Sequence, residues 1–116
     1  MFKKHTISVK HATDGLVWAL KTQPNYKIHL FLSLLAIIGA IYFKVSYFEF
    51  ILIIFMITVG LVIETINTGL EQTTDAIDQK IREDIKIAKD VAAAAMLIYA
   101  VGATIIAGVI FLPKIL

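Results

Sequence analysis

No cysteine occurs in the chain, which excludes a disulfide framework and any thiolate metal site and leaves the redox compartment open. Charge is scarce as well. Asp, Glu, Lys and Arg make up 17% of the 116 residues and hydrophobic residues 59%, against roughly half apolar in an ordinary soluble domain. No Gly-rich run precedes a Gly-Lys-Ser/Thr, so a P-loop is excluded. Internal repeats and low-complexity tracts are missing too, and the length allows one domain, residues 1–116. The first apolar stretch begins near Ile28 behind a long basic segment, with no small-residue cleavage site after it. It therefore reads as part of the folded chain and not as a signal peptide.

What the chain does have is three apolar runs. Ile28 to Phe43 and Phe50 to Ile63 carry no charge, and Val91 to Leu112 is a third uncharged run of 22 residues. A spanning helix needs about 20 mostly apolar residues. The third run qualifies alone and the other two qualify with their flanks. The expected fold class is all-α integral membrane, with spans over 28–46, 48–77 (its end a cytoplasmic extension) and 87–112.

Basic residues orient these spans. Lys3, Lys4, Lys10, Lys21 and Lys27 precede the first, and Lys80, Arg82, Lys86 and Lys89 lie between the second and third. Lys44 and Lys114 fall on the other side. Positive charge marks the cytoplasmic face, so the N-terminus and the 76–90 loop are expected inside, the 44–49 turn and C-terminus outside. Before the first span, Val9, Ala12, Leu16, Ala19 and Leu20 recur at helical spacing, with Lys10, Asp14 and Lys21 off that stripe. Trp18 and Tyr26 are types that favour membrane interfaces. This pattern predicts an amphipathic surface helix over 6–23, ended by Pro24.

The second span ends unusually, in VIETINTGLEQTTDAID. At about 100° per residue, Glu64, Asn67, Glu71 and Asp75 fall near 0°, −60°, −20° and +20°, within a quarter of the helix circumference. With Asp75 at the water boundary, Glu64 lies about 16 Å deeper. A carboxylate near the bilayer centre costs about 2.5–3.5 kcal/mol, so a bland anchor would not carry it. Glu64 at that depth suits a proton acceptor. Glu71, one turn nearer water, suits a hard cation such as Mg²⁺, which takes carboxylates and retained waters. Asp75 and Asp78, at the helix exit, read equally well as capping groups or as partners of Lys89 and Arg82. Lys89 and Asp90 enter the third span ahead of four alanines, which helix packing explains. An isolated lysine there snorkels, whereas beside an acidic stripe it binds phosphate.

Glu64-x-x-Asn67-Thr68-x-x-Glu71-x-x-x-Asp75, followed by Ala88-Lys89-Asp90, resembles the prokaryotic diacylglycerol kinase family, which includes undecaprenol kinases of Gram-positive bacteria. Ala12-x-x-Gly15 and ALKTQPNYKIHL resemble it too, so the likeness covers essentially the whole chain. The resemblance implies a homotrimeric bundle in a bacterial cell membrane, each subunit with a surface helix and three spans. It implies ATP-dependent transfer of a γ-phosphoryl to a membrane lipid alcohol, diacylglycerol or undecaprenol, with Mg²⁺ and with no nucleic-acid partner. By motif position Glu64 resembles the general base and Glu71 a metal ligand. Asn67 and Asp75 match active-site support, and Lys89 and Asp90 match nucleotide contacts. The loop Lys80-Ile81-Arg82 would lie near the adenine, and Lys4 and His11 fall where the family has residues near the nucleotide. Gln23 departs from the pattern, standing where the family usually carries an acidic metal ligand. It keeps open an impaired or non-catalytic member. A small transporter is the other rival, and it predicts polar groups near the midplane of several spans.

Overall fold

The computed structural model describes residues 2–80 and 82–116, and within them the chain forms four helices: α1 (Phe2–Thr22), α2 (Pro24–Tyr42), α3 (Tyr47–Ile77) and α4 (Glu83–Ile115). Ile81, in the predicted adenine loop, lies outside the described residues.

The breaks between helices follow from local chemistry. Pro24 occupies the first turn of α2, where its missing N–H costs nothing. It pushes the preceding Gln23 into extended backbone, φ −103° and ψ 110°, which separates α1 from α2. Helix α1 starts at Phe2, ahead of the expected residue 6, because nothing between the two positions breaks a helix. Helix α2 stops at Tyr42, short of the predicted 46. Lys44 turns left-handed there at φ 52°. Ser46 already caps the next helix, accepting from the Glu49 N–H while Glu49 accepts from the Ser46 N–H. Helix α4 runs past 87–112 at both ends, led by Glu83 and Asp84, whose charge suits a helix N-terminus.

Three helices, α2, α3 and α4, are long and apolar enough to cross a membrane. At 1.5 Å per residue the 31 residues of α3 reach about 46 Å, well beyond a hydrocarbon core of about 30 Å. Its polar C-terminal third therefore has room to project from the lipid. Large apolar side chains face outward along all three helices, among them Phe31, Phe55, Leu97 and Val109. In water this surface would aggregate; in a bilayer it meets acyl chains.

Helix α3 is the hub and packs against the other three. Its dry core gathers at one end, where Ala40, Ile53 and Ile110 are buried among Val45, Phe50, Ile57 and Phe111. Lys114 donates to Glu49 there at 2.9 Å, tying the end of α4 to the start of α3. Midway, α3 and α4 approach so closely that a Cβ at Gly60 would overlap the Tyr99 ring. The opposite end of α3 carries the polar stripe.

Candidate active site

Glu64 and Asn67 are 4% and 8% exposed, and Thr68 and Thr74 are buried with them. Four buried polar side chains on one membrane-type helix need partners or a ligand, since burying them bare is costly. Glu64, Asn67 and Glu71 line a common cavity of about 360 Å³, opposite Asn25, Ile28 and His29 of α2 and Ala93 and Met96 of α4. The three stripe residues that sequence periodicity puts on one face of α3 therefore share one space.

Within it, Asn67 Nδ2 donates to Glu71 Oε1 at 3.4 Å. The other end of that amide, Oδ1, is buried and has no hydrogen-bond partner among the described residues. An amide oxygen in that position is free to accept a hydrogen bond or to coordinate a cation. The α2 wall is fixed by Tyr26, fully buried one turn from His29; the Tyr26 hydroxyl hydrogen-bonds Thr65 across the helix pair. Thr65 donates its own hydroxyl hydrogen bond to the Leu61 carbonyl at 2.6 Å, so the tyrosine hydroxyl is the donor toward Thr65.

Nearer the α3–α4 loop, Lys89 Nζ pairs with Asp75 Oδ1 at 2.6 Å and Lys86 with Asp90 at 2.6 Å. Arg82 pairs with Asp84 at 2.8 Å and approaches Asp78 at 3.7 Å. Lys80, Arg82, Lys86, Lys89 and Asp90 line a second cavity of about 220 Å³ with Gln79 and Ile85. Of its four cations, Arg82, Lys86 and Lys89 are already paired with aspartates, and Lys80 adds a further positive charge to the lining. The Asp75–Lys89 pair stands between the two cavities, one turn from Glu71 on α3 and one turn from Ala93 on α4.

Other expected site residues lie elsewhere. Gln23 sits half-buried at the α1–α2 break, donating to Thr22 Oγ1 at 3.2 Å, and lines neither cavity. Lys4 and His11 are exposed on α1 and line neither cavity. Sequence reading overlooked Asn25 and His29. A signal for them existed: Asn25, His29 and Ser33 are four residues apart on α2, a polar row inside an apolar span.

Residues 10–111 match the prokaryotic diacylglycerol kinase family pattern. Across 111 residues the chain is 32% identical to the diacylglycerol kinase of Synechocystis sp., covering 95% of this chain and 63% of that protein. Across 108 residues it is 33% identical to the undecaprenol kinase of Bacillus subtilis, covering 93% of this chain and 88% of the relative. The chain belongs to the prokaryotic diacylglycerol kinase family. In this member of the family Glu64, Asn67 and Glu71 lie on the wall of one cavity, and Lys89 and Asp90, in the early turns of α4, on that of the other.

No group of three or more His, Cys, Asp or Glu side chains is gathered for a metal among the described residues. Mg²⁺ does not require such a group: it keeps several waters and usually takes one or two carboxylates together with substrate phosphates. The unpartnered Asn67 oxygen beside the Glu71 carboxylate fits such a partial shell.

Proposed function

We infer that the protein is an integral-membrane lipid kinase that transfers the γ-phosphoryl group of MgATP to the hydroxyl of a membrane lipid alcohol, diacylglycerol or undecaprenol. One observation carries this reading: a buried carboxylate, Glu64, shares a cavity with Glu71 and Asn67, next to a cation-lined cavity at the helix mouth. Phosphoryl transfer asks mainly for positioning, charge neutralisation and a group near the acceptor oxygen. The family and the two named relatives point the same way.

In this reading the lipid stays in the leaflet and its hydroxyl enters the Glu64 cavity, while ATP approaches from water. Glu64 accepts the hydroxyl proton as the lipid oxygen bonds to the γ-phosphorus. The bond to the β–γ bridging oxygen breaks, and ADP departs with that electron pair. Glu71 and the Asn67 oxygen would hold Mg²⁺, which when bound spreads the phosphate charge. Lys89, Asp90 and Arg82 would meet the nucleotide at the mouth, with Lys4 and His11 approaching it from α1. Asp75 holds Lys89 in place. Gln23, which lines neither cavity in this structure, would have to turn from the α1–α2 break toward Glu71 to add a neutral oxygen to the metal shell. We further infer a homotrimer in a bacterial cell membrane, with the N-terminus cytoplasmic and the C-terminus outside.

The test is phosphorylation of undecaprenol against diacylglycerol in mixed micelles with ATP and Mg²⁺. Product from one or both supports a lipid kinase. ATP consumption that ignores added lipid alcohol, or no consumption, contradicts it.

A further inference from the structure

Two contacts of different kinds hold α2 against α3. Toward one end of the pair lies the dry core, where Ala40 is buried with Ile53 and packed by Ala36 and Ile57. Toward the other end lies a polar tie. The Tyr26 hydroxyl hydrogen-bonds Thr65 Oγ1, and among the described residues this is the one side-chain hydrogen bond between α2 and α3. Tyr26 is 1% exposed, and a buried tyrosine hydroxyl needs such a partner. Thr65 faces outward, with its own hydroxyl committed to the Leu61 carbonyl. The tie therefore ends on the backbone of α3.

A bond of this kind commonly does no more than hold two helices together. Its place in the fold says more. Asn25 precedes Tyr26 and Glu64 precedes Thr65, and both neighbours line the cavity of the carboxylates. Ile28 and His29, on the next turn of α2, line it as well. The tie sits at the seam where the α2 wall of that cavity meets the α3 wall that carries Glu64. This end of α2 has no continuous helix to brace it, because Pro24 begins the helix and Gln23 before it is extended. Tyr26 itself lines neither the carboxylate cavity nor the cation-lined one.

We propose that Tyr26 is a positioning residue for Glu64, fixing the first turns of α2 against the carboxylate through Thr65 and so setting the rate of proton removal and not the affinity for nucleotide. The inference rests on the lipid kinase reading and adds a residue that acts from behind the cavity wall. Proton transfer needs the two heavy atoms within hydrogen-bond reach, about 2.6–3.2 Å. A misplacement of about 1 Å can cost about a hundredfold in rate. The cation-lined cavity shares no residue with the seam, so loosening the seam leaves the nucleotide contacts in place.

Tyr26→Phe and Thr65→Val each remove the bond and keep the shape of the side chain. Each should lower kcat about tenfold at saturating lipid alcohol, with KM for MgATP and the thermal midpoint in detergent close to wild type. The double variant should lose no more than either one alone, because both break the same bond. Thr65→Ser keeps the acceptor and should keep the rate. Thr58→Val makes the same change on α3 at a hydroxyl that bonds back to the Ile54 carbonyl of its own helix, and should alter nothing. Losses that add in the double variant overturn the proposal. So does a rise in KM for MgATP as large as the fall in kcat, or a lowered thermal midpoint with kcat unchanged. A second measurement needs no turnover. Infrared difference spectra of the wild type against Glu64→Gln isolate the carboxyl bands of Glu64, and the same difference taken in the Tyr26→Phe background should show them shifted. Bands that stay in place overturn the proposal. If the wild type phosphorylates no lipid alcohol, the kinase reading fails, and the infrared bands still decide whether Tyr26 positions Glu64.

Discussion

Lys89 and Asp75 form an ion pair at 2.6 Å that joins the start of α4 to the end of α3 at the mouth of the polar cavity. Both side chains keep more than a third of their surface exposed, at 37% and 42%. A pair this wet contributes about 0–1 kcal/mol to stability. Its use is therefore to aim an ammonium group, and the two variants should differ. Lys89→Met should weaken MgATP binding by at least about tenfold, in line with 1.5–3 kcal/mol for a charged hydrogen bond. Asp75→Asn should weaken it less, because the ammonium remains. Isothermal titration with a non-hydrolysable ATP analogue separates them; equal losses would make the pair a structural tie.

The metal shell makes a second prediction. Glu71→Gln should raise the Mg²⁺ concentration for half-maximal activity, and excess Mg²⁺ should recover part of the rate. Gln23→Glu should lower that concentration, because it adds a charged oxygen two residues from Asn25. An unchanged Mg²⁺ dependence in Gln23→Glu would leave the shell to Glu71 and Asn67.

Close approach of α3 and α4 can be read from a sign reversal. Mid-helix Gly to Ala normally stabilises by about 1 kcal/mol. At Gly60 the new methyl would overlap the Tyr99 ring, and overpacking costs about 1–3 kcal/mol. Gly60→Ala should therefore lower the thermal midpoint in detergent, and in a Tyr99→Leu background it should raise it. Stabilisation in both backgrounds would mean the helices do not meet there.

Topology follows from the placement of lysine and arginine. A cysteine introduced by Ser46→Cys should react with an impermeant reagent from outside intact cells, whereas one from Gln79→Cys should react only after lysis. The reverse pattern would invert the chain and remove ATP from the side where the cation-lined cavity opens.

Much of this architecture was legible in the residues because its signals are local and periodic. Glu64, Asn67 and Glu71 share a face by helical arithmetic, and the structure lines one cavity with them. The polar row on α2 went unread because Asn25, His29 and Ser33 are each separated by three largely apolar residues, so hydropathy absorbs them. That Asn25 and His29 face the stripe of α3 is a matter of how α2 and α3 pack, which no single-helix pattern contains. The choice between pairing and phosphate binding at Lys89 had the same origin. Asp75 lies fourteen positions earlier, and only the α3–α4 crossing brings it within 2.6 Å. Helix α2 ended early because Lys44 adopts a left-handed turn, a conformation composition does not announce.

The central claim is that the buried carboxylate takes the acceptor proton, and Glu64→Gln tests it most directly. Glutamine keeps the shape of a side chain that is 4% exposed and removes its basicity. Turnover should fall by about 10²–10⁴-fold, the usual contribution of a general base, with MgATP affinity close to the wild-type value. Asp78→Asn, at the C-terminal cap of α3, should change neither. If Glu64→Gln turns over at the wild-type rate, Glu64 is not the proton acceptor, and this account of the site is wrong.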